Sequence, residues 1–493
     1  MVNRVIVLGG GSAGFMAVLA LRSRHPNLLV LLIRSRDIGI IGVGEGSTVA
    51  LSRFLHQYLK VSLKDFHAVA QPTWKLGLKF LWGPRPEFYY SFGAEQMTYR
   101  PPDLPRNLGY YCDENIEDAD PIASMMAQDR VFARSADGLP VFHDAVSYHF
   151  ENEKFVRFLE ASAIAAGVEL LDDTVARVRQ DENGITGLDL QSGRTESADL
   201  YVDASGFASL LLGKALQEPF ISFKSSLFCD RAVVGGWDRT DEPIKPYTTC
   251  ETMNAGWCWQ IEHIARINRG YVYCSSFISD EEAQREFRAK CPKAGPTRVV
   301  RFTSGCYERG WVKNVVAIGN ASGFVEPLEA TALGGIASQS RLVADTLLDA
   351  GREVRPSQVD EFNSHHRREW ETIRSFIALH YKFNTRVQSP FWTECLEKTD
   401  LAGAGRVVRY YQENGPSGAW SGTMLDSFDS FGIGGYMTLL VGQKVPHAAR
   451  HAPSDAERAA WAQRIEHNRK AAMEGMTVRQ ALQIIHDPRW RWV

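Results

Sequence analysis

The chain lacks most of the features that would assign it to a class at once. Its eight cysteines (Cys112, Cys229, Cys250, Cys258, Cys274, Cys291, Cys306 and Cys395) are scattered through 493 residues with no CxxC pair. No Cys/His cluster has zinc spacing, so no metal centre is expected, and isolated thiols in a chain this long suit a reducing compartment. No stretch approaches the roughly eighteen uninterrupted apolar residues that a membrane span needs. The N-terminus enters a strand-and-glycine pattern by Val5, without the charged, apolar and cleavage regions of a secretory signal, so a cytoplasmic location is expected. Charge of one sign is also missing: 55 basic against 58 acidic residues leave a net charge of −3. With no polybasic segment, this gives no electrostatic footprint for nucleic acid or for an anionic membrane. Internal repeats and low-complexity tracts are absent too.

What is present is a globular composition, 44% hydrophobic and 23% charged, with enough length to bury a large core. The run RVIVL at 4–8 meets GGGSAG at 9–14, a helical pattern follows, and a second apolar run at 28–33 completes a βαβ unit. Gly9, Gly11 and Gly14 therefore form a GxGxxG in the context that the motif requires, between a strand and a helix. Glycines there permit the tight turn and let Gly11, Ser12 and Ala13 offer backbone N–H groups to a pyrophosphate at the positive end of the helix. The second strand ends in Arg34, where an acid usually holds the adenosine ribose; an arginine there can instead hint at a 2′-phosphate. Asp203 opens a second strand-to-turn junction (DASGFAS, 203–209), and VVAIGNASGF (315–324) makes a third, with Gly319 at its turn and Phe324 at its end. The bland reading is three ordinary strand–helix turns. The sharper one is a flavoprotein monooxygenase-like fold that cradles ADP, ribityl chain and isoalloxazine.

Elsewhere, residues 152–166 have helical periodicity, 168–203 read as a β meander, a helix is expected from about Ala332, and 340–400 is mainly helical. In QPTWKLGLKFLW (71–82), alternation through Trp74, Leu76, Leu78 and Phe80 suggests one strand with Lys75 and Lys79 together on its other face. If that face is solvent, the lysines are ordinary. If it lines a cavity, one of them is a reagent.

Taken together, the motifs GGGSAG, IGVGEGST (41–48), TWKLGLKF (73–80), GWCWQI (256–261) and GNASGFVEPLEAT (319–331) resemble the flavin-dependent halogenases of the tryptophan-halogenase type, from the N-terminus to roughly residue 400. The resemblance implies that reduced FAD, oxygen and a halide, chloride or bromide, generate hypohalous acid, which travels through a tunnel to a lysine beside the substrate. Matched residue by residue, that lysine is Lys75, leaving Lys79 structural or solvent-facing. An ammonium can polarise HOX, or an amine can form a haloamine; either fixes the electrophile beside one carbon. Glu329 matches a carboxylate near the lysine that could stabilise the cationic ring intermediate, take its proton or orient HOX. Glu326 stays open between a site role and plain solvation. Thr331 and Ala332 match the positions whose amides bind halide, although Ala330 stands where the family has serine and Ala332 where it has glycine. Trp257 and Trp259 match a pair said to keep organic substrate from the flavin; a core aromatic ladder is the bland alternative, and Glu262 replaces the proline that usually follows. Gly44 and Glu45 belong to a flavin-contacting loop in relatives.

The expected fold is α/β: a Rossmann-like FAD domain with a β-rich substrate-side region over 1–340, and a mainly helical substrate-cavity region over 341–493. The distal aromatics His380, Tyr381, Phe383, Phe391, Trp392, Tyr410 and Tyr411 could wall a cavity or simply pack. The expected activity is FADH2-dependent halogenation of an electron-rich aromatic, indole or phenol, with a separate NAD(P)H-dependent flavin reductase as supplier because no second nucleotide-binding βαβ unit is apparent. An FAD aromatic hydroxylase is the alternative, and a flavin-binding redox sensor or carrier a third class. Oligomeric state is open, a homodimer included.

Overall fold

A computed structural model describes residues 1–39, 44–94, 109–113, 115–417, 421–426 and 428–492. The chain divides into two compact units, each built from three separated segments. One holds residues 1–71, 150–223 and 302–370; the other holds 72–149, 224–301 and 371–493. The expected break at 340/341 is therefore corrected. Helix Ala332–Asp349 runs through it and packs within the first unit, where His25 Nε2 lies 2.9 Å from the Ala344 carbonyl and Arg24 pairs with Asp345 at 3.0 Å.

The first unit is a six-stranded sheet in the order Glu169–Asp172, Leu29–Arg34, Arg4–Leu8, Leu200–Asp203, Val315–Ala317, Trp311–Val312. The first five strands are parallel, and the last pairs antiparallel at the edge. Parallel strands are covered on both faces, which is why RVIVL and LVLLIR read as unbroken apolar runs. Ile6, Leu31, Ile33, Tyr201 and Val315 are buried in one core cluster under this sheet. The expected meander at 168–203 is only half right: Val175–Asp181, Gly184–Leu190 and Thr195–Glu196 form a small antiparallel sheet, but the strands before and after it join the parallel one. The anticipated helices are present as Asn152–Ala165 and Ala332–Asp349.

The second unit centres on a seven-stranded sheet in the order Arg298–Arg301, Arg231–Asp238, Arg266–Tyr273, Gly256–Glu262, Thr248–Met253, Gly77–Leu81, Phe88–Ser91. Its single parallel pairing joins Thr248–Met253 to Gly77–Leu81. The C-terminal segment of this unit is helical, as expected, with helices such as Pro390–Lys398, Gly432–Gly442 and Asp455–Met473.

The single strand expected through Trp74–Phe80 is two. Thr73–Lys75 pairs with Ser147–Phe150, whereas Gly77–Leu81 belongs to the large sheet, and Leu76 between them sends its N–H to the Pro246 carbonyl at 2.8 Å. Lys75 and Lys79 therefore do not share one strand face. Lys75 has no exposed surface, while Lys79 pairs with Glu87 at 2.6 Å beside the rings of Tyr89 and Tyr247.

Close approach dictates glycine at the first turn. Gly9 has φ +129, and a Cβ there would lie 2.2 Å from the Ala204 carbonyl oxygen; one on Gly14 would lie 1.9 Å from the Gly9 oxygen. Gly9→Ala is expected to lower folding stability by about 1–3 kcal/mol through backbone strain and overpacking, read as a lower urea midpoint. An unchanged midpoint would contradict this packing.

Candidate active site

In the first unit, the three strand-to-turn junctions leave the carboxyl ends of adjacent parallel strands, where open α/β sheets place their ligands. They touch one another. The Ala204 N–H donates to the Leu8 carbonyl at 2.9 Å and the Ile318 N–H to the Asp203 carbonyl at 3.0 Å. Ser209 Oγ donates to the Ala321 carbonyl at 2.8 Å, the rings of Phe207 and Phe324 meet edge to face at 4.9 Å, and a Cβ on Gly319 would lie 3.2 Å from that of Ala13. Gly9 and Gly14 are crowded, but a Cβ on Gly11 would meet nothing within 4 Å. Among the described residues no side chain caps helix Ser12–Arg24, so its first-turn amides are available to an anion. This cradle fits a dinucleotide diphosphate. The hydroxyl of Ser12 also donates to Asn152 Oδ1 at 3.2 Å, which fixes the side chain at the mouth of the turn.

Two of the predicted cofactor residues are engaged by their own chain. Asp203 accepts from the N–H and hydroxyl of Ser205 and from the Leu211 and Leu212 amides, at 2.6–3.1 Å. Burial pushes its carboxyl up and these hydrogen bonds pull it back. Arg34 sits against Gly10 and pairs with Glu160 at 2.6 Å. The hydrogen bond from Arg34 holds the Glu160 carboxyl below its usual range, so the guanidinium charge is already neutralised.

Of the loop motif, residues 41–43 lie outside the described residues; Gly44 has φ +86 and Glu45–Gly46 forms a short strand. Burial pushes the Glu45 carboxyl up to about 7. A Cβ on Gly334 would meet Thr48 Oγ1 at 2.8 Å, so this segment lies against the start of helix Ala332–Asp349. That same helix start carries Thr331 and Ala332. The turn before it runs Pro327–Glu329, then Ala330 at φ +54, a left-handed conformation that aims the chain into the helix. Ala332 is exposed, and the amides of the first turn stand at the positive end of an 18-residue helix, the physical requirement for a halide site. Glu326 and Glu329 are both buried. Solvation of Glu326 is thereby excluded.

In the second unit, Lys75 lies opposite Ser147, and Thr73 opposite His149. Paired residues share a sheet face, so Lys75 and His149 are diagonal neighbours on one face. Lys75 Nζ stands 5.5 Å from the ring centre of Phe92, within cation–π range. His149 is fully buried, with Nε2 2.8 Å from Thr248 Oγ1. Burial, and then the charges of Lys75, His263 and Arg239, hold its imidazole well below the usual histidine range, so it is neutral at pH 7. Thr73 Oγ1 donates to the Glu262 carbonyl at 2.5 Å, and the Glu262 carboxylate makes a buried ion pair with Arg239 at 2.6 Å and accepts from Gln260 Nε2 at 2.7 Å. Glu262 thus ends the strand Gly256–Glu262 in place of the proline expected from the resemblance, and its charge is matched.

Trp257 and Trp259 share a face of Gly256–Glu262 and are both buried. Trp259 lies opposite Gly270, where a Cβ would be 2.4 Å from the indole; glycine makes room for the ring. The distal aromatics are mostly core. His380, Tyr381, Phe391, Trp392 and Tyr411 are buried, Phe383 and Tyr410 are half-buried, and Trp392 Nε1 donates to the Met253 carbonyl at 2.7 Å. His149, Arg239 and Asn152 were not singled out from sequence. Only the alternation Ser147-x-His149, polar residues on one side of an apolar strand, carried a usable signal.

A dinucleotide cradle of this construction, joined in one chain to a unit with a buried lysine, is the frame of a dinucleotide-dependent enzyme. The profile of the family described as tryptophan halogenase matches residues 4–458. The tryptophan 6-halogenase ThaL of Streptomyces albogriseolus is 32% identical over 425 residues, 79% of this chain and 78% of that protein. The tryptophan 7-halogenase RebH of Lentzea aerocolonigenes is 30% identical over 453 residues, 83% of each chain. Among solved structures, that of MibH, a lanthipeptide tryptophan 5-halogenase, superposes with a TM-score of 0.88 at 37% identity, covering 98% of this chain and 93% of that one. The chain belongs to the tryptophan halogenase family and is a flavin-dependent halogenase, an oxidoreductase whose cofactors are FAD, as FADH2, and a halide ion. No helix among the described residues is long and apolar enough to cross a membrane.

The buried imidazole gives a pH test. Because His149 is harder to protonate folded than unfolded, it contributes stability above about pH 6.5 that is lost as pH falls and the unfolded chain takes up the proton. Between pH 6.5 and 5, the urea-derived stability of the parent should fall more steeply than that of His149→Gln, by up to about 1.4 kcal/mol per pH unit. Parallel slopes would contradict a neutral buried imidazole.

Proposed function

We propose that this halogenase installs chlorine or bromine on an electron-rich aromatic of the indole or phenol type, with Lys75 directing the electrophile. The observation that carries the reading is a lysine with no exposed surface, in the TWK element of the family pattern, on a sheet face beside a neutral histidine. Gly9, Gly11, Ser12, Ala13, Gly14, Gly44, Glu45, Gly319 and Phe324 would hold FADH2, which when bound would supply hypohalous acid from oxygen and halide. Asp203 and Arg34 shape that cradle, and the amides at Thr331 and Ala332 hold the halide ion.

An ammonium on Lys75 donates a hydrogen bond to the oxygen of HOX, which makes the halogen the electrophilic end. As the carbon–halogen bond forms, the O–X bond breaks and the oxygen leaves as water with a proton from Lys75. The ring proton is released to a base and one proton restores the ammonium, so the sum is ArH + HOX → ArX + H2O. Trp257 and Trp259 serve as the aromatic barrier that the resemblance assigns to this pair. Tryptophan, the substrate in the relatives' names, is of the indole type. FADH2 comes from a separate NAD(P)H-dependent reductase by diffusion: the glycine turns all serve one cradle, and no second such cradle occurs among the described residues.

The protein, with FAD, a reductase and either chloride or bromide, should convert members of an indole and phenol panel to products with the halogen isotope pattern in mass spectra. Lys75→Ala should reduce product at least about 100-fold, the scale of a lost proton-transfer and positioning group, while FAD affinity stays within about twofold. Undiminished product would overturn the role of Lys75. Hydroxylated, halide-independent product would overturn the reaction itself.

A further inference from the structure

We propose that Glu369 is a positioning residue of the FAD site, acting through Gln339 on the Gly319 turn. The inference rests on the assignment of that turn to the flavin cradle. Gly319 adopts φ +57, and a Cβ there would press on Ile336 at 3.0 Å and on Ala13 at 3.2 Å, so this turn is seated between the start of the first helix and helix Ala332–Asp349. Its amide is tied down by a side chain: the Gly319 N–H donates to Gln339 Oε1 at 2.8 Å, and Gln339 is buried.

A glutamine amide has two ends, and nothing about Gln339 alone decides which faces the turn. Glu369 decides it. Its carboxyl is hydrogen-bonded to Ser338 and Gln339. An ionised carboxylate accepts only, so Gln339 must turn its NH2 group to Glu369 and its oxygen to the Gly319 N–H. Reversed, the amide would set NH2 against N–H. Ser338 Oγ lies 3.2 Å from His365 Nε2, and a Cβ on Gly335 would be 4.0 Å from Glu369 Oε1, so the helix surface leaves room for this carboxylate. Glu369 Oε2 is sealed from water and has no partner among the described residues. Burial pushes the carboxyl up to about 7. A group held in this way is poorly placed to act as a surface charge and well placed to polarise the one amide it touches.

FAD titration at pH 8, where the carboxyl is ionised, tests this by quenching of flavin fluorescence. Glu369→Leu and Gln339→Leu should each weaken FAD binding about tenfold, the scale of one buried hydrogen bond left unmade. The double variant should be no weaker than either single, because both break one chain of contacts. Glu369→Gln, whose carbonyl can still accept from Gln339, should restore most of the affinity; a residue needed only for folding would show neither the non-additivity nor the rescue. FAD affinity of Glu369→Leu within twofold of the parent, or strictly additive losses, would overturn the proposal. Gly11→Asp separates the underlying reading: a Cβ there meets nothing within 4 Å, but the carboxylate would repel a diphosphate. If Gly11→Asp binds FAD normally, the cradle assignment fails. If it loses FAD while Glu369→Leu does not, only the role of Glu369 fails.

Discussion

A lysine side chain entirely withdrawn from water is the constraint that organises the second unit. A buried ammonium must be met by polarisable or accepting groups, and it penalises any second positive charge nearby. The surroundings of Lys75 answer both demands: the face of Phe92 lies within cation–π range, and His149 on the same sheet face is kept neutral. The other buried cation in this neighbourhood, Arg239, is matched by Glu262. The unit therefore sets Lys75 apart from Lys79, which is partly exposed and paired with Glu87. The buried group can act on a neutral, polarisable molecule such as hypohalous acid.

The first unit solves a different problem, the close approach of backbone to a large anionic cofactor. Its three turns are locked by backbone hydrogen bonds between adjacent strand ends and by glycines that admit carbonyl oxygens at distances no Cβ would allow. Crowding at Gly9 and Gly14 with open space at Gly11 is what a diphosphate cradle requires: rigid flanks and a vacant face of amides. The turn proposed to hold the halide follows the same logic, with Ala330 in a left-handed bend delivering Thr331 and Ala332 to a helix N-terminus.

The nucleotide-binding half was legible because its signals are local. A strand, a glycine turn and a helix follow one another within about thirty residues, and parallel strands read as apolar runs. Lys75 was recognisable only through its family motif, since alternation alone suggested a continuous strand shared with Lys79. The break at Leu76 is invisible in that pattern because both strands are buried, and Lys75 alternates in phase with a face that is itself interior. Glu262 looked like a defect for want of proline, yet Arg239, distant in sequence, completes it. His149 and the Gln339–Glu369 pair escaped for the same reason: each gains its meaning from a partner that only the folded chain supplies. The division into two interleaved units was equally hidden, because each unit is assembled from three separated segments.

The central claim is that making the oxidant and using it are separate tasks, and that Lys75 serves only the second. Lys75→Met preserves length and burial while removing the charge. With bromide, FADH2 and oxygen, hypobromous acid released to solution can be trapped by a cyclic 1,3-diketone while brominated indole is quantified in the same sample. The account predicts that Lys75→Met yields trapped halogen at a rate within about twofold of the parent while brominated indole falls at least about 100-fold. Loss of both signals, or retention of both, would contradict it.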